Sequence, residues 1–364
     1  MNFNIISNKI LTGKEITKEE GLHLFRMNGG IEEELFALAR ELNHQVNGKR
    51  VTYVKNRNLN FTNICTIECK FCGFCREEQD AEAYTLTVGE MLEKIEQTPD
   101  ISEICIQGAI NPRLEISYYL DFLRQIKRKH PSLHIHGISP QEVHSLAEKA
   151  RWSPGRVIQT LMEAGLDSMA GTAAEILVDA VREKIAPSKI SSARWVEIIK
   201  TAHFLGLPST ATILFGHIES PTDVLEHLDL LREVQKETGG FTEFIPLPFI
   251  PYRTRLGHDF YLSKTASWLR IKRFYALARA YLFPTFKNIQ TSWVKLGVDR
   301  AVQTLELGVN DFGGTLIEEN ITRSAGGHFG EYLSEEEIRL RLLQAGKVPV
   351  QRDTLYRLPN PGAL

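Results

Sequence analysis

The chain has no apolar run near the roughly 18 residues that a membrane-spanning helix needs, and Met1 to Glu20 hold no apolar segment of signal-peptide length. Net charge is almost nil: 43 basic against 45 acidic side chains leave −2. That balance gives no electrostatic case for a nucleic acid or an anionic membrane as partner. No glycine-rich nucleotide fingerprint follows the first candidate strand, and no repeat or low-complexity tract occurs. Cysteine is scarce, with five in 364 residues. Without a secretory signal, so few thiols argue against a disulfide-built fold and for a reducing, cytoplasmic location.

Four of those five cysteines are crowded into Asn63–Cys75, where Cys65, Cys69 and Cys72 stand at C-x3-C-x2-C with Phe71 directly before the third. Thiolates are soft ligands suited to zinc, copper(I) or iron–sulfur clusters. A zinc site usually pairs two knuckles across a dozen or more residues, and no second knuckle follows. A closed four-thiolate cluster would recruit Cys75, but ferredoxin-type runs carry Pro after the last Cys, and Arg76 follows here. Three thiolates on a four-iron cluster leave one iron open to a substrate. This pattern resembles the signature of the radical S-adenosylmethionine (SAM) enzymes. The resemblance implies a [4Fe-4S] cluster on Cys65, Cys69 and Cys72. SAM would chelate the open iron, and its reductive cleavage would give a 5'-deoxyadenosyl radical. The fifth cysteine, Cys105, lies in the apolar run Ile104-Cys105-Ile106 and reads as a small core residue.

Residues 1–50 read as a helical extension of two helices. One is opened by the capping box Thr17-Lys18-Glu19-Glu20, and the other is marked by Ile31, Leu35, Leu38 and Leu42. From Val51 the pattern alternates. Strand candidates are 51–62, 101–108, 133–139, 167–171, 209–216, 241–249, 288–295 and 309–315. Between them lie helices with clear punctuation, such as Ser153-Pro154 at one start and Gly165 at its stop. Eight strands alternating with helices predict an α/β fold, a (β/α)8 TIM-type barrel over 51–322 that carries the cluster loop 65–72. A helical tail is expected over 323–364, opened by Ser334-Glu335-Glu336-Glu337, with 359–364 loose.

Active sites of such barrels form at the carboxyl ends of the strands. Gln107 and Gly108 end the second strand, where a glycine would let backbone approach the methionine part of SAM. His134 and His136 share one face of the third strand and suit a substrate hydrogen bond or an internal polar layer better than a metal. Glu175, opening the helix after the fourth strand, is placed to accept the ribose hydroxyls of SAM, and Arg182 to pair with its carboxylate. Thr212, His217 and Glu219 belong to the fifth strand and its exit, Ser292 to the seventh, and Asn310 and Asp311 to the eighth. These last six are candidates for the substrate pocket, the final pair because unpaired polar groups at a barrel mouth are costly unless used.

Longer segments sharpen the likeness. Residues 58–65 (NLNFTNIC), 134–136 (HIH), 168–175 (SMAGTAAE) and 215–219 (FGHIE) are similar to one group of radical SAM enzymes. That group contains the tyrosine-using subunit of FO synthase and two menaquinone-pathway enzymes, aminofutalosine synthase and dehypoxanthine futalosine cyclase. Residues 240–249 (GFTEFIPLPF), 290–297 (QTSWVKLG) and 310–315 (NDFGGT) look most like the FO synthase subunit. The likeness implies a transferase that joins the 4-hydroxybenzyl group of L-tyrosine to 5-amino-6-(D-ribitylamino)uracil and releases 2-iminoacetate. It further implies an electron donor and a partner radical SAM subunit that closes the deazaflavin ring. Gly73, where the family pattern has Ala, and the extra Cys75 depart from it.

Overall fold

The apolar positions that alternate from Val51 onward assemble into parallel strands, and the helices between them pack outside. The computed structural model describes residues 2–27, 30, 32–98 and 100–358; Ile31 and the expected loose end 359–364 lie outside them. The strands are β1 (Arg50–Val54), β2 (Asn56–Leu59), β3 (Glu103–Ile106), β4 (His134–Gly137), β5 (Ser168–Met169), β6 (Ser209–Phe215), β7 (Phe241–Pro248), β8 (Asp311–Gly314) and β9 (Val348–Gln351). Strands β2 to β7 form one curled sheet in sequential order, and β8-β1-β9 form a second. Every named pairing is parallel. Among the described residues no helix is long and apolar enough to cross a membrane.

Three details of the strands depart from the sequence reading. The first strand, expected as 51–62, is broken at Lys55. There the Asn56 backbone N–H donates to Thr315 Oγ1 (2.9 Å), and Asn56 Oδ1 accepts from Leu316 N (2.9 Å). Side chains replace the ladder at that point, so the run divides into β1 and β2. The seventh strand, expected as 288–295, shrinks to two bridges, Ile289 beside Phe244 and Gln290 beside Asp311, before the chain turns into helix Trp293–Leu296. Those bridges join β7 to β8, and a bridge from Arg57 to Ile317 brings the β8 exit back to β2. The tail, expected to be helical, does form helix Glu335–Gln344 but then adds strand β9 against β1, from Arg50↔Val348 to Tyr53↔Gln351.

The helices carry their expected punctuation. Helix Pro154–Ala164 starts on Ser153 and stops at Gly165, whose φ of 121° favours glycine. Helix Lys18–Arg26 has its full capping box, whereas helix Phe3–Leu11 was not foreseen, since Ile6 and Ile10 alone mark its buried face. The apolar core lies between strands and helices. Trp195 is fully buried there with its Nε1 donating to Thr172 O (3.1 Å), and Phe215 stacks on Phe274 at 3.9 Å.

Candidate functional site

A cavity of about 370 Å³ runs inside the curled sheet, and all four loop cysteines line it. Hydrogen bonds at its base shape the loop. Asn63 holds Glu82 O through Nδ2 (2.8 Å) and Tyr84 N through Oδ1 (2.8 Å), while Arg76 N returns to Asn63 O (2.8 Å). Its tip is pinned where Lys70 N donates to Ile185 O (2.8 Å) and Leu256 N to Lys70 O (2.7 Å). The excursion between is short, as three converging thiols require. Gly73 is explained here: a Cβ would come within 2.5 Å of Ser324 O, so the closely laid backbone at 324–325 demands glycine.

The thiols are not alike. The neighbouring Cys75 thiol, then the backbone N–H of Ile110 and Ile67 (both 3.4 Å), bring the pKa of Cys65 down to about 6 despite burial, while Cys75 Sγ donates to Cys65 O (3.6 Å). Burial pushes Cys69 up to about 12 and raises Cys72 as well. Among the described residues no three His, Cys, Asp or Glu side chains close on a point as one metal ion requires. A cluster spreads its ligands over a wider shell, and three reduced thiols around a cavity match that donor set.

Beside the loop, Lys189 binds Glu175 and sits 5.1 Å from the Phe71 ring centroid. Burial opposes the charge on Lys189, but Cys69 and Glu175 outweigh it and raise its pKa. Glu175 itself stands at φ 43°, a left-handed conformation uncommon for glutamate. Arg182 does not reach the cavity. Its guanidinium is buried on the carbonyls of Ala173 (3.3 Å), Ala174 (2.5 Å), Ile176 (3.3 Å) and Ile190 (2.6 Å). It fixes the Glu175 loop from behind instead of meeting a SAM carboxylate.

Gln107, Gly108, His136, Thr212 and Ser292 all line the cavity. Gly108 is glycine because a Cβ would strike the Phe61 ring at 2.2 Å, so an aromatic of the core, and not a cofactor, sets that requirement. His134 Nε2 and His136 Nδ1 meet the same Ser168 Oγ at 2.8 Å each, and only His136 faces the cavity. Burial holds His136 neutral, down to about 4. The Thr212 hydroxyl donates to Gly171 O (2.8 Å).

Four candidates lie elsewhere. His217 and Glu219 turn into the protein after β6: Glu219 accepts from Gly216 N (2.7 Å) and His217 N (2.8 Å) and binds Arg270 at 2.6 Å. Asn310 and Asp311 stand at the start of β8, hence at the amino-terminal floor and not the mouth. Neither is unpaired. Asn310 Oδ1 accepts from Arg279 (2.8 Å) and Ile289 N (2.9 Å), and Asp311 takes Arg352 at 2.5 Å. The sequence reading missed Lys189, Lys295, Glu243 and Arg352, all of which line the cavity. Only the oddity of a basic residue in the apolar stretch Trp293-Val294-Lys295-Leu296 signals one of them.

Residues 59–231 match the family model for the radical SAM superfamily, and residues 238–361 match the one described as CofH/MqnC C-terminal region. A protein of Archaeoglobus fulgidus named 5-amino-6-(D-ribitylamino)uracil–L-tyrosine 4-hydroxyphenyl transferase is 44% identical over 327 residues, which cover 89% of this chain and 93% of that one. A protein of Methanothermobacter thermautotrophicus with the same name is 42% identical over 98% of this chain and 99% of its own. In fold the chain is similar to the crystal structure of HydG, a maturase of the [FeFe]-hydrogenase (TM-score 0.73, 17% identity, 95% of this chain, 75% of that one). It is also similar to methylornithine synthase PylB (TM-score 0.74, 18% identity, 94% and 97%). Members of the superfamily use a [4Fe-4S] cluster with SAM, and the three-thiol loop suits that pair. The chain belongs to the radical SAM superfamily and, within it, to the family of the 5-amino-6-(D-ribitylamino)uracil–L-tyrosine 4-hydroxyphenyl transferases.

Proposed function

We propose that this chain transfers the 4-hydroxybenzyl group of L-tyrosine to 5-amino-6-(D-ribitylamino)uracil, releasing 2-iminoacetate and 5'-deoxyadenosine. The observation that carries the reading is the three-thiol loop at the head of a largely apolar cavity with a few polar groups, in a chain of this family. Cys65, Cys69 and Cys72 hold the cluster in this reading, and Cys75 stays outside it, its thiol donating to the backbone O of Cys65. Held there, the cluster and SAM would supply the radical chemistry needed at the tyrosine amino group. The protein's own part is orientation and exclusion of water. Phe71, Glu175 and Lys189 form the wall that receives SAM, with Gln107 and Gly108 facing its methionine end, while His136, Thr212 and Ser292 border the space left for the two substrates.

Outside the loop the chain has one cysteine, Cys105, so the reducing electron comes from a separate donor in this scheme. A second radical SAM subunit would take the adduct on to the closed deazaflavin ring. Free thiols and an oxygen-sensitive cluster suit the cytoplasm. Anaerobically reconstituted protein given dithionite, SAM, tyrosine and the diaminouracil is expected to form 5'-deoxyadenosine and a hydroxybenzyl adduct, read by mass spectrometry. Formation of 5'-deoxyadenosine only with a futalosine-type substrate would overturn the assignment.

A further inference from the structure

Three cations line the cavity: Lys189, Lys295 and Arg352. Two are committed to protein carboxylates. Lys189 holds Glu175, and Arg352 lies 2.5 Å from Asp311 and 3.5 Å from Glu243. The Lys295 side chain makes neither a hydrogen bond nor an ion pair among the described residues; Glu319, Glu175 and Cys72 act on it only through space. Lys295 is half-buried, so its ammonium is partly withdrawn from water, and an arriving anion would offset that cost. Ser292 stands one turn earlier, just ahead of helix Trp293–Leu296. It lines the same cavity, and its hydroxyl makes no capping hydrogen bond. The two side chains therefore offer a charged and a neutral donor from one turn of chain, the complement of the two oxygens of a carboxylate.

We propose that Lys295 and Ser292 hold the α-carboxylate of the amino-acid substrate. The inference rests on the transferase reading and deepens it. Of the ligands in that reading the diaminouracil is neutral, and the carboxylate of SAM is taken up at the open iron. Tyrosine alone brings a carboxylate with no assigned partner. Lys295 lines the same cavity as Cys65, Cys69 and Cys72. A carboxylate bound there keeps the amino group, one carbon away, inside the cavity that those thiols share.

The test is equilibrium binding by calorimetry to reconstituted protein with SAM and no reductant, so that nothing turns over. L-Tyrosine is compared with L-tyrosinol, in which an uncharged hydroxymethyl group replaces the carboxylate. Wild type is expected to prefer tyrosine. Lys295→Gln is expected to weaken tyrosine about tenfold to a hundredfold and tyrosinol by less than about threefold. Lys295→Arg, which keeps the charge, is expected to restore most of the preference, and Ser292→Ala to lose a smaller part of it, about threefold to tenfold. SAM and diaminouracil affinities should not move. An unchanged tyrosine-to-tyrosinol ratio in Lys295→Gln overturns the inference, as does a loss of SAM affinity in place of tyrosine affinity. If Lys295→Gln does not fold, as judged by bound iron and melting temperature, an unchanged ratio in Ser292→Ala overturns it instead. Wild type that binds no tyrosine defeats the transferase reading itself, whereas normal binding untouched by Lys295→Gln defeats only this assignment.

Discussion

The rim and the floor of the cavity are both polar, yet they are finished differently. At the floor these charges all have partners: Arg352 pairs with Asp311 and Glu243, Glu243 also accepts from Tyr356, and Glu103 accepts from Thr354 and Asn56 at 2.6 and 2.9 Å. Arg352 also lies 4.1 Å from the Tyr356 ring centroid. At the rim lie the three cluster thiols, the Lys295 side chain makes no hydrogen bond or ion pair among the described residues, and Glu175 is held in an unfavourable backbone conformation. Satisfied polar networks rigidify a fold, and unsatisfied ones await something. The contrast assigns the floor to stability and the rim to chemistry, so substitutions at the two ends should separate melting behaviour from activity.

The largest effect is expected at the rim. Cys65→Ala, Cys69→Ala or Cys72→Ala should each abolish activity and lower bound iron with little change in apoprotein melting, while Cys75→Ala keeps its iron. Full iron and activity in all three single variants would erase the division. At the floor, Arg352→Leu leaves Asp311 and Glu243 buried without their cation and should lower the unfolding free energy by about 3–5 kcal/mol, measured by urea titration. Burial already pushes Glu243 up to about 7 against the pull of Arg352, so part of that cost would be relieved by protonation.

A smaller effect sharpens the boundary between the ends. His136 has its pKa depressed by burial to about 4, from an ordinary 6.5. The neutral form is favoured in the fold, so its contribution is present above about 6.5 and is lost as pH falls toward 4. Between pH 7 and pH 5 this amounts to about 2 kcal/mol. His136→Asn should flatten that slope in chemical denaturation, and an unchanged slope would remove His136 from the stabilising layer. Smallest of all, Thr87→Ala removes the capping box of the outer helix Val88–Glu96 and should cost about 1 kcal/mol while touching neither end of the cavity. A drop in activity there would show that the outer shell is coupled to the rim.

Much of this was legible in the chain, for reasons that differ by element. The cysteine loop is local, with its ligands inside eight residues, so spacing alone announces it. Helices such as Pro154–Ala164 declare both ends by capping residues. The exit of β6 misled because Gly216, at φ 86°, turns His217 and Glu219 away from the cavity, and side-chain alternation ends at such a turn. Asn310 and Asp311 misled because the sequence reads them as unpaired groups at the barrel mouth, whereas they stand at the amino end of β8 and find their partners in Arg279 and Arg352, which no local pattern links to them. Arg352 and Lys189 carry no local signal. Each gains its place from a neighbour remote in sequence, Asp311 in one case and Phe71 in the other.

Strand β9 has a bearing on how the chain reaches this state. It pairs Arg50 with Val348, about 300 residues downstream, so one edge of β1 has no mate until nearly everything described has emerged from the ribosome. Contacts between such distant segments form late and slowly. The base of the barrel is thus sealed near the end of maturation, after the cysteine loop has long been made. An iron–sulfur donor would meet a nascent chain whose receiving thiols are complete while its opposite end still gapes.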